Sequence, residues 1–422
     1  MTGQSTGKTI LNLPSLPAPS ERRLALRVRP AAERALRGGH PWLYADAIRQ
    51  QSHEGQPGDL GVVFDRQRRF VAIGLYDPLS PLRLRVLQQG RPAPIDRNWF
   101  AARLAAALAL REPLAQDERT TGYRLVHGEN DSLPGLVVDR YDQTVVLKLY
   151  TAAWVPHLPA LLDALLDRLP VQRLVLRLSR DVAAQPAFLY GLQPGQVLAG
   201  PPLEGPVTFQ ENGLRFSADV VAGQKTGFFF DHRDNRRRVE RLAAGKRVLN
   251  VFAYTGAFSL YAARGGAPQV TSTDLSEPAL AAAVEQFALN GDDPNVAAAE
   301  HEVLAGDAFQ TLQMLAAADR RFDMVIVDPP TFARRQAELP RALSAYRRLV
   351  AGALAVLRPG GTLVMASCTA RITAGQFFET VHEAARESGR PLEEIERTGH
   401  PLDHPVTFPE GAYLKCLFAT AP

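Results

Sequence analysis

Apolar residues recur along this chain in three rhythms, and each rhythm predicts a different architecture. Over residues 22–90 they come in short runs, Arg23–Val28, Asp59–Asp65, Phe70–Tyr76 and Leu82–Leu87, separated by turn residues. Evenly spaced runs of this length predict the strands of a small β-barrel. Ala31–Leu36 predicts one helix, stopped by Gly38-Gly39. After the linker Gly90–Pro94, residues 95–203 mix the two periods. Helices are predicted over Trp99–Leu110 and Leu158–Leu169, and strands over Leu136–Tyr141, Val145–Tyr150 and Arg173–Leu178, giving a compact α+β region. From 207 to 422 the rhythm becomes strand, helix, strand, helix. Strands are predicted at Arg247–Phe252, Gln269–Asp274, around His301–Leu304, at Phe322–Asp328 and at Gly361–Ser367, with helices at Glu277–Leu289 and Arg341–Leu357. That alternation predicts an α/β, doubly wound, Rossmann-like parallel sheet, with Leu392–Ala421 adding an antiparallel edge.

With 422 residues the chain exceeds one ordinary domain, and its 46% apolar and 22% charged residues suit globular cores. No apolar run approaches the ~20 residues of a membrane span. Residues 1–21 lack the apolar stretch of a secretory signal, and their Gly, Ser, Thr and Pro content predicts a disordered tail. A cytoplasmic location is the resulting expectation. Two cysteines, Cys368 and Cys416, exclude a disulfide framework and speak against a cysteine-held metal, so no metal is expected. The net charge is only +4, but residues 21–50 hold seven Arg against three acids, and 231–247 hold seven Arg or Lys against three acids. Patches of that kind suit a phosphate backbone as well as a solvated helix face.

Candidate chemistry collects where apolar runs end in polar residues, because ligands of open α/β sheets lie at the carboxyl ends of the strands. Val248–Val251 runs into Phe252-Ala253-Tyr254-Thr255-Gly256 and then a helix. Small residues there let the backbone approach a ligand, and a helix N-terminus offers free N–H groups. Asp274 ends the next strand, 24 residues after Asn250, where an acid can take both ribose hydroxyls. One glycine rather than three fits a pyrophosphate poorly. A ribose-bearing cofactor without phosphate, S-adenosylmethionine, fits better. Asn250, Phe252, Tyr254, Thr255, Gly256, Asp274 and Leu275 are therefore assigned to the cofactor. Asp307 and Ala308 follow a third strand and are placed at the adenine, although a plain loop acid would read the same.

Asp328-Pro329-Pro330 holds a carboxylate rigidly, since proline restricts the residue before it and removes donors. Such a group can grip a base turned out of its stack beside a methyl donor, so Asp328 is assigned to both cofactor and base. Cys368, just after the next strand, is the candidate nucleophile. A thiolate added at carbon 6 of cytosine makes carbon 5 nucleophilic towards a methyl group. Standing alone, a cysteine is more often a packed small hydrophobe; Cys416, inside the apolar run Tyr413–Phe418, is read that way. In Gly223–Arg236, Phe229 and Asp231 are assigned to the cofactor pocket, and Lys225, Arg233 and Arg236 to RNA phosphate, although a loop with a core anchor and a solvated helix would read the same.

These residues resemble one family. His40-Pro41-Trp42, Gly128–Leu136 with Asp139-Arg140, Gln224–Gly227 with Asp231 and Arg233-Asp234, Tyr254-Thr255-Gly256, Asp274, Asp328-Pro329-Pro330, Ser367-Cys368, His404-Pro405, Pro409-Glu410-Gly411 and Tyr413-Leu414-Lys415 occur in the order of the bacterial rRNA large-subunit methyltransferase I type. The resemblance runs from about Arg23 to the C-terminus. It implies a PUA domain that binds RNA through its arginines, His40 and Trp42, a middle domain, and a class I methyltransferase domain. It also implies S-adenosylmethionine as donor, Cys368 as nucleophile and rRNA cytosine as substrate. Another RNA cytosine methyltransferase class carries a second cysteine where this chain has Thr331, so proton removal falls to another group or to water. Two alternatives stand beside this reading: methylation of a guanine, with Cys368 incidental, and an RNA-binding protein that has lost catalysis. The oligomeric state is left open, a homodimer being one option.

Overall fold

Burial alternates along Leu24–Val28, with Leu24 and Leu26 pointing inward and the residues between them exposed, as a strand with one wet face requires. The structure, a computed structural model describing residues 11–333 and 335–422, places this strand in a six-stranded sheet. Its order is Trp42–Tyr44, Leu82–Gln89, Phe70–Tyr76, Leu60–Phe64, Leu24–Val28 and Ile48–Gln51. All pairs are antiparallel except Leu24–Val28 beside Leu60–Phe64. Four of these strands fall where the apolar runs predict them. Trp42–Tyr44 and Ile48–Gln51 were not predicted, the first being too short and the second too polar to show a period.

The α+β region is a five-stranded sheet ordered Val197–Ala199, Arg173–Leu178, Thr144–Leu149, Leu136–Tyr141, Gly122–His127. Helices Arg97–Leu110 and Leu158–Leu166 carry much of its apolar cover, and Asp96 caps the first by accepting from Trp99 N. Both sheets lie in one compact unit, which takes the chain through Gly213 together with Ser217–Phe230 and Leu402–Phe408. A continuous core joins Leu60, Leu75 and Leu87 to Phe100, Trp154, Leu162 and Leu176. The tail expected to be disordered over 1–21 is corrected in part. Residues 1–10 lie outside the described residues, but Leu11 bridges to Ala199, and Leu11, Leu13 and Leu16 pack against this core. Three leucines in six positions carry enough apolar area to order the segment.

The second unit comprises Leu214–Phe216, Asp231–Pro401 and Pro409–Pro422. Its seven-stranded sheet is ordered Glu300–Ala305, Gln269–Asp274, Arg247–Val251, Phe322–Val327, Leu357–Ser367, Lys415–Ala421, Glu393–Thr398. The first five strands are parallel, and Lys415–Ala421 runs antiparallel to both of its neighbours. Helix starts are signalled locally. Ser276 caps Glu277–Leu289, Asp307 caps Ala308–Ala317, and Thr373 with Gln376 forms a reciprocal capping box for Ala374–Glu387. The central strands are apolar on both faces, Met324 to Val327 being buried throughout, as a sheet covered on two sides demands. The strand expected from Gly361 starts earlier, at Leu357, after a register irregularity opposite Phe322–Met324. Among the described residues no helix is long and apolar enough to cross a membrane.

Candidate active site

Parallel register aligns the strand ends of the second unit. Val251 pairs with Val327, and Val327 with Met365, so the turn after Val251, the Asp328 turn and the Cys368 turn open on one edge. The first turn is strained. Phe252 and Tyr254 adopt φ of +62° and +48°, and Gly256 lies at +74°. A side chain on Gly256 would also meet the Ala283 Cβ at 2.7 Å, so glycine is required both conformationally and sterically. Left-handed non-glycine residues cost of order 1–3 kcal/mol each and concentrate where a ligand is clamped.

Asp274 closes the next strand and braces this turn. Its Oδ2 accepts from Tyr254 N at 2.8 Å and its Oδ1 from Ser276 N at 2.9 Å. Each carboxylate oxygen keeps a further lone pair for a hydroxyl. Leu275, beside it, is 76% exposed, an apolar surface that a flat aromatic ring would cover. Asn250 is buried; its Nδ2 donates to Ser259 Oγ at 2.9 Å, while its Oδ1 has no partner among the described residues. Asp307 Oδ1 accepts from Phe309 N and Gln310 N as a helix cap, with Ala308 buried behind it. Asp231 is buried and accepts the Tyr413 hydroxyl at 2.9 Å. A paired acid, an exposed leucine, an unsatisfied buried carbonyl and a strained small-residue turn fit an adenosyl group bearing an amino acid. Thr255 lies within that turn.

At the other two strand ends stand the carboxylate and the thiol. Asp328 Oδ2 lies 3.3 Å from His232 Nε2. Cys368 is half-buried, its Sγ 3.3 Å from Thr331 Oγ1 and 3.9 Å from Pro329 O. Behind it, Lys415 is buried and donates to Thr369 O at 2.8 Å and Ile372 O at 2.7 Å, fixing the turn that carries the sulfur. Burial pushes this ammonium down to about 8, and the Cys368 charge opposes that shift. Tyr346 braces the same turn, its hydroxyl bonded to Ser367 Oγ at 2.8 Å and Thr369 Oγ1 at 3.2 Å; burial raises it to about 12. Cys416, by contrast, is fully buried in its strand, and burial drives its thiol far above the ordinary value, as its reading as a core residue expects.

Other expected site residues lie elsewhere. Arg233 and Arg236 are buried, on the inner face of helix Arg233–Leu242 with Val239, so a surface phosphate cannot reach them as expected. The helical period puts Arg237 and Arg241 on the exposed face instead. Phe229 and Lys225 belong to the first unit, where the Lys225 ammonium sits 4.3 Å above the Phe229 ring. His40 and Trp42, also there, pack edge-to-face with Phe408, and the Trp42 indole N–H donates to Glu129 at 2.9 Å. His232 and Tyr346 were not singled out from sequence, and Lys415 entered only through the Tyr413-Leu414-Lys415 resemblance, without a role. Only Lys415 left a signal, a lone charge inside an apolar strand. Among the described residues no group of three His, Cys, Asp or Glu could hold a metal.

This strand order, with a row of strand-end acids, defines a methyltransferase-type α/β domain. Comparison with known proteins makes that specific. Residues 135–419 match the model of S-adenosylmethionine-dependent methyltransferases, and 26–89 that of a PUA-like domain. A Deinococcus radiodurans protein named ribosomal RNA large subunit methyltransferase is 52% identical over 96% of this chain and 99% of its own. A Photobacterium profundum protein named ribosomal RNA large subunit methyltransferase I is 38% identical over 91% of this chain and 96% of its own. Among solved structures, a methyltransferase complexed with SAH superposes with TM-score 0.80 at 23% identity, over 94% of this chain and 99% of that one. The chain belongs to the S-adenosylmethionine-dependent methyltransferases, in the branch whose curated members carry the ribosomal RNA large subunit methyltransferase names. Its cofactor is S-adenosylmethionine.

Proposed function

We propose that this protein methylates large-subunit ribosomal RNA, and that its target is carbon 5 of a cytosine attacked by Cys368. The relatives' names support the RNA substrate, and the PUA-like domain with its arginines supports RNA as the ligand. One observation carries the chemistry: a half-exposed thiol at one strand end, beside the strand that ends in a carboxylate, with a buried lysine behind the thiol's own turn.

The chain's residues divide the work. Lys415 and the Thr331 hydroxyl favour the thiolate, which is the reactive form of cysteine. Cys368 Sγ bonds to ring carbon 6, and the electron pair of the broken 5,6 double bond is shared between carbon 5 and nitrogen 3, which takes up a proton. Asp328 holds the nitrogen 3 and amino edge and favours the protonated adduct. When bound, S-adenosylmethionine supplies the electrophilic methyl group that carbon 5 takes up. Loss of the carbon 5 proton to water or a nearby base restores the double bond and expels the thiolate. Asp274, Leu275, Asn250 and the strained turn hold the cofactor; Asp231, Asp307 and Ala308 are proposed to complete its pocket. Lys225, His40 and Trp42 are proposed RNA contacts.

The test is product identity. Unmodified large-subunit rRNA, incubated with the protein and labelled S-adenosylmethionine, is digested and its nucleosides separated. Label in 5-methylcytidine, absent with Cys368→Ala, is expected. Label in a methylguanosine, unaffected by Cys368→Ala, would overturn the cytosine reading.

A further inference from the structure

Among the described residues the carboxylate of Asp328 has one ion-pair neighbour, and that neighbour is itself held by a chain of hydrogen bonds that nothing in the mechanism above uses. Thr398, at the end of the edge strand, donates its hydroxyl to Asn235 Oδ1 at 2.6 Å. Asn235 Nδ2, in the first turn of helix Arg233–Leu242, lies 3.2 Å from His232 Nδ1. His232 Nε2 then lies 3.3 Å from Asp328 Oδ2. Asn235 and His232 are both buried, and Phe258 meets the imidazole edge at a centroid distance of 5.3 Å. Ring rotation is therefore confined.

The order of donors settles which nitrogen carries the proton. The threonine hydrogen is spent on the amide oxygen, so the amide nitrogen turns its N–H towards Nδ1. Nδ1 must then present a lone pair, and in a neutral imidazole the proton resides on Nε2. Nε2 lies at ion-pair distance, 3.3 Å, from Asp328 Oδ2, and Oδ1 has no protein partner among the described residues. Pro329 restricts the Asp328 backbone, but only a side-chain donor can fix the rotation of the carboxylate itself.

We infer that His232 is a positioning residue: by donating from Nε2 it orients the Asp328 carboxylate, so that one oxygen is tethered and the other faces the base. The inference rests on the reading of Asp328 as the group that grips the base. Loss of one polar partner of a charged group changes a rate by roughly 10- to 100-fold. Glutamine places its Nε2 donor near the position of the imidazole Nε2, so it is the informative replacement.

The experiment compares steady-state methyl transfer to rRNA by wild type, His232→Ala, His232→Gln and Asp328→Asn, with SAH affinity measured on each by calorimetry. We expect kcat to fall about 30-fold in His232→Ala, within the range for loss of one partner of a charged group, with SAH affinity held. His232→Gln should recover most of the rate. Equal loss in His232→Ala and His232→Gln, or no loss in either, would overturn the inference. So would loss of SAH affinity in step with rate, which would make His232 a support of the cofactor. If Asp328→Asn keeps full activity, the reading of the base site fails instead. If Asp328→Asn is inactive while His232→Ala is not, only the positioning role fails.

Discussion

The two units each bury charge, and they do so in opposite ways. In the first unit, Arg124 grips Asp139 with two bonds of 2.8 and 2.9 Å, and Arg111 grips Asp131 with two of 2.7 Å. Asp403 closes the knot, its carbonyl accepting from Arg111 and its carboxylate from Arg124 N, each at 2.9 Å. Thr226 adds a donor to Asp139 at 2.5 Å. In the second unit, Asp328 has a single ion-pair contact among the described residues, at 3.3 Å, and Cys368 stands half-exposed. A buried knot gives a ligand no approach; a strand-end carboxylate with one oxygen open does. Buried charge by itself therefore marks structure, and incompletely satisfied charge marks the site.

The largest break in that comparison is expected at the thiol. Cys368→Ala should lower methyl transfer by on the order of a million-fold, the scale seen when a covalent nucleophile is removed, while SAH affinity and the melting temperature stay at wild-type values. A rate loss matched by loss of stability would make Cys368 a core residue. Next comes the knot. Arg124→Ala leaves Asp139 buried without its cation and should cost roughly 3–5 kcal/mol of stability in urea unfolding. A stable Arg124→Ala protein with impaired catalysis would reverse the contrast. Asp274→Ala removes the acid assigned to the ribose and should weaken S-adenosylmethionine binding roughly 10- to 100-fold, as loss of charged hydrogen bonds implies; unchanged affinity would place the cofactor elsewhere.

The smallest effect concerns pH. Lys415 is held at about 8 in the folded chain, against an ordinary 10.5. A lowered folded value means that the charged form is penalised by folding below about pH 8. Between about 8 and 10.5 the unfolded chain still binds this proton and the folded chain does not, so stability rises with pH there. Wild type should gain stability relative to Lys415→Met across that window in denaturant titrations. A constant difference would show that Lys415 does not titrate in it.

How far the sequence carried these assignments follows from distance along the chain. The strand Phe322–Val327 and the acids at the strand ends were legible, because an apolar run and its polar terminus are adjacent residues. Cys368 was legible for the same reason. The link from Thr398 through Asn235 to His232 was not, since it joins residues 163 apart through an edge strand whose position depends on the whole sheet. Gly122–His127 was missed because Arg124 and His127 conceal its burial, and only Asp139 on the neighbouring strand makes that burial affordable. The inner placement of Arg233 and Arg236 could have been read: with Val239 they recur every third residue along the helix.

The central claim is that Cys368 becomes bonded to a cytosine. It is tested most directly by incubating the protein and S-adenosylmethionine with large-subunit rRNA containing 5-fluorocytosine, where fluorine at carbon 5 blocks the proton loss that releases the thiolate. The account predicts a denaturant-stable protein–RNA complex whose linked peptide contains Cys368, absent with Cys368→Ala. No complex from an enzyme that methylates ordinary rRNA, or a complex that survives in Cys368→Ala, would contradict it.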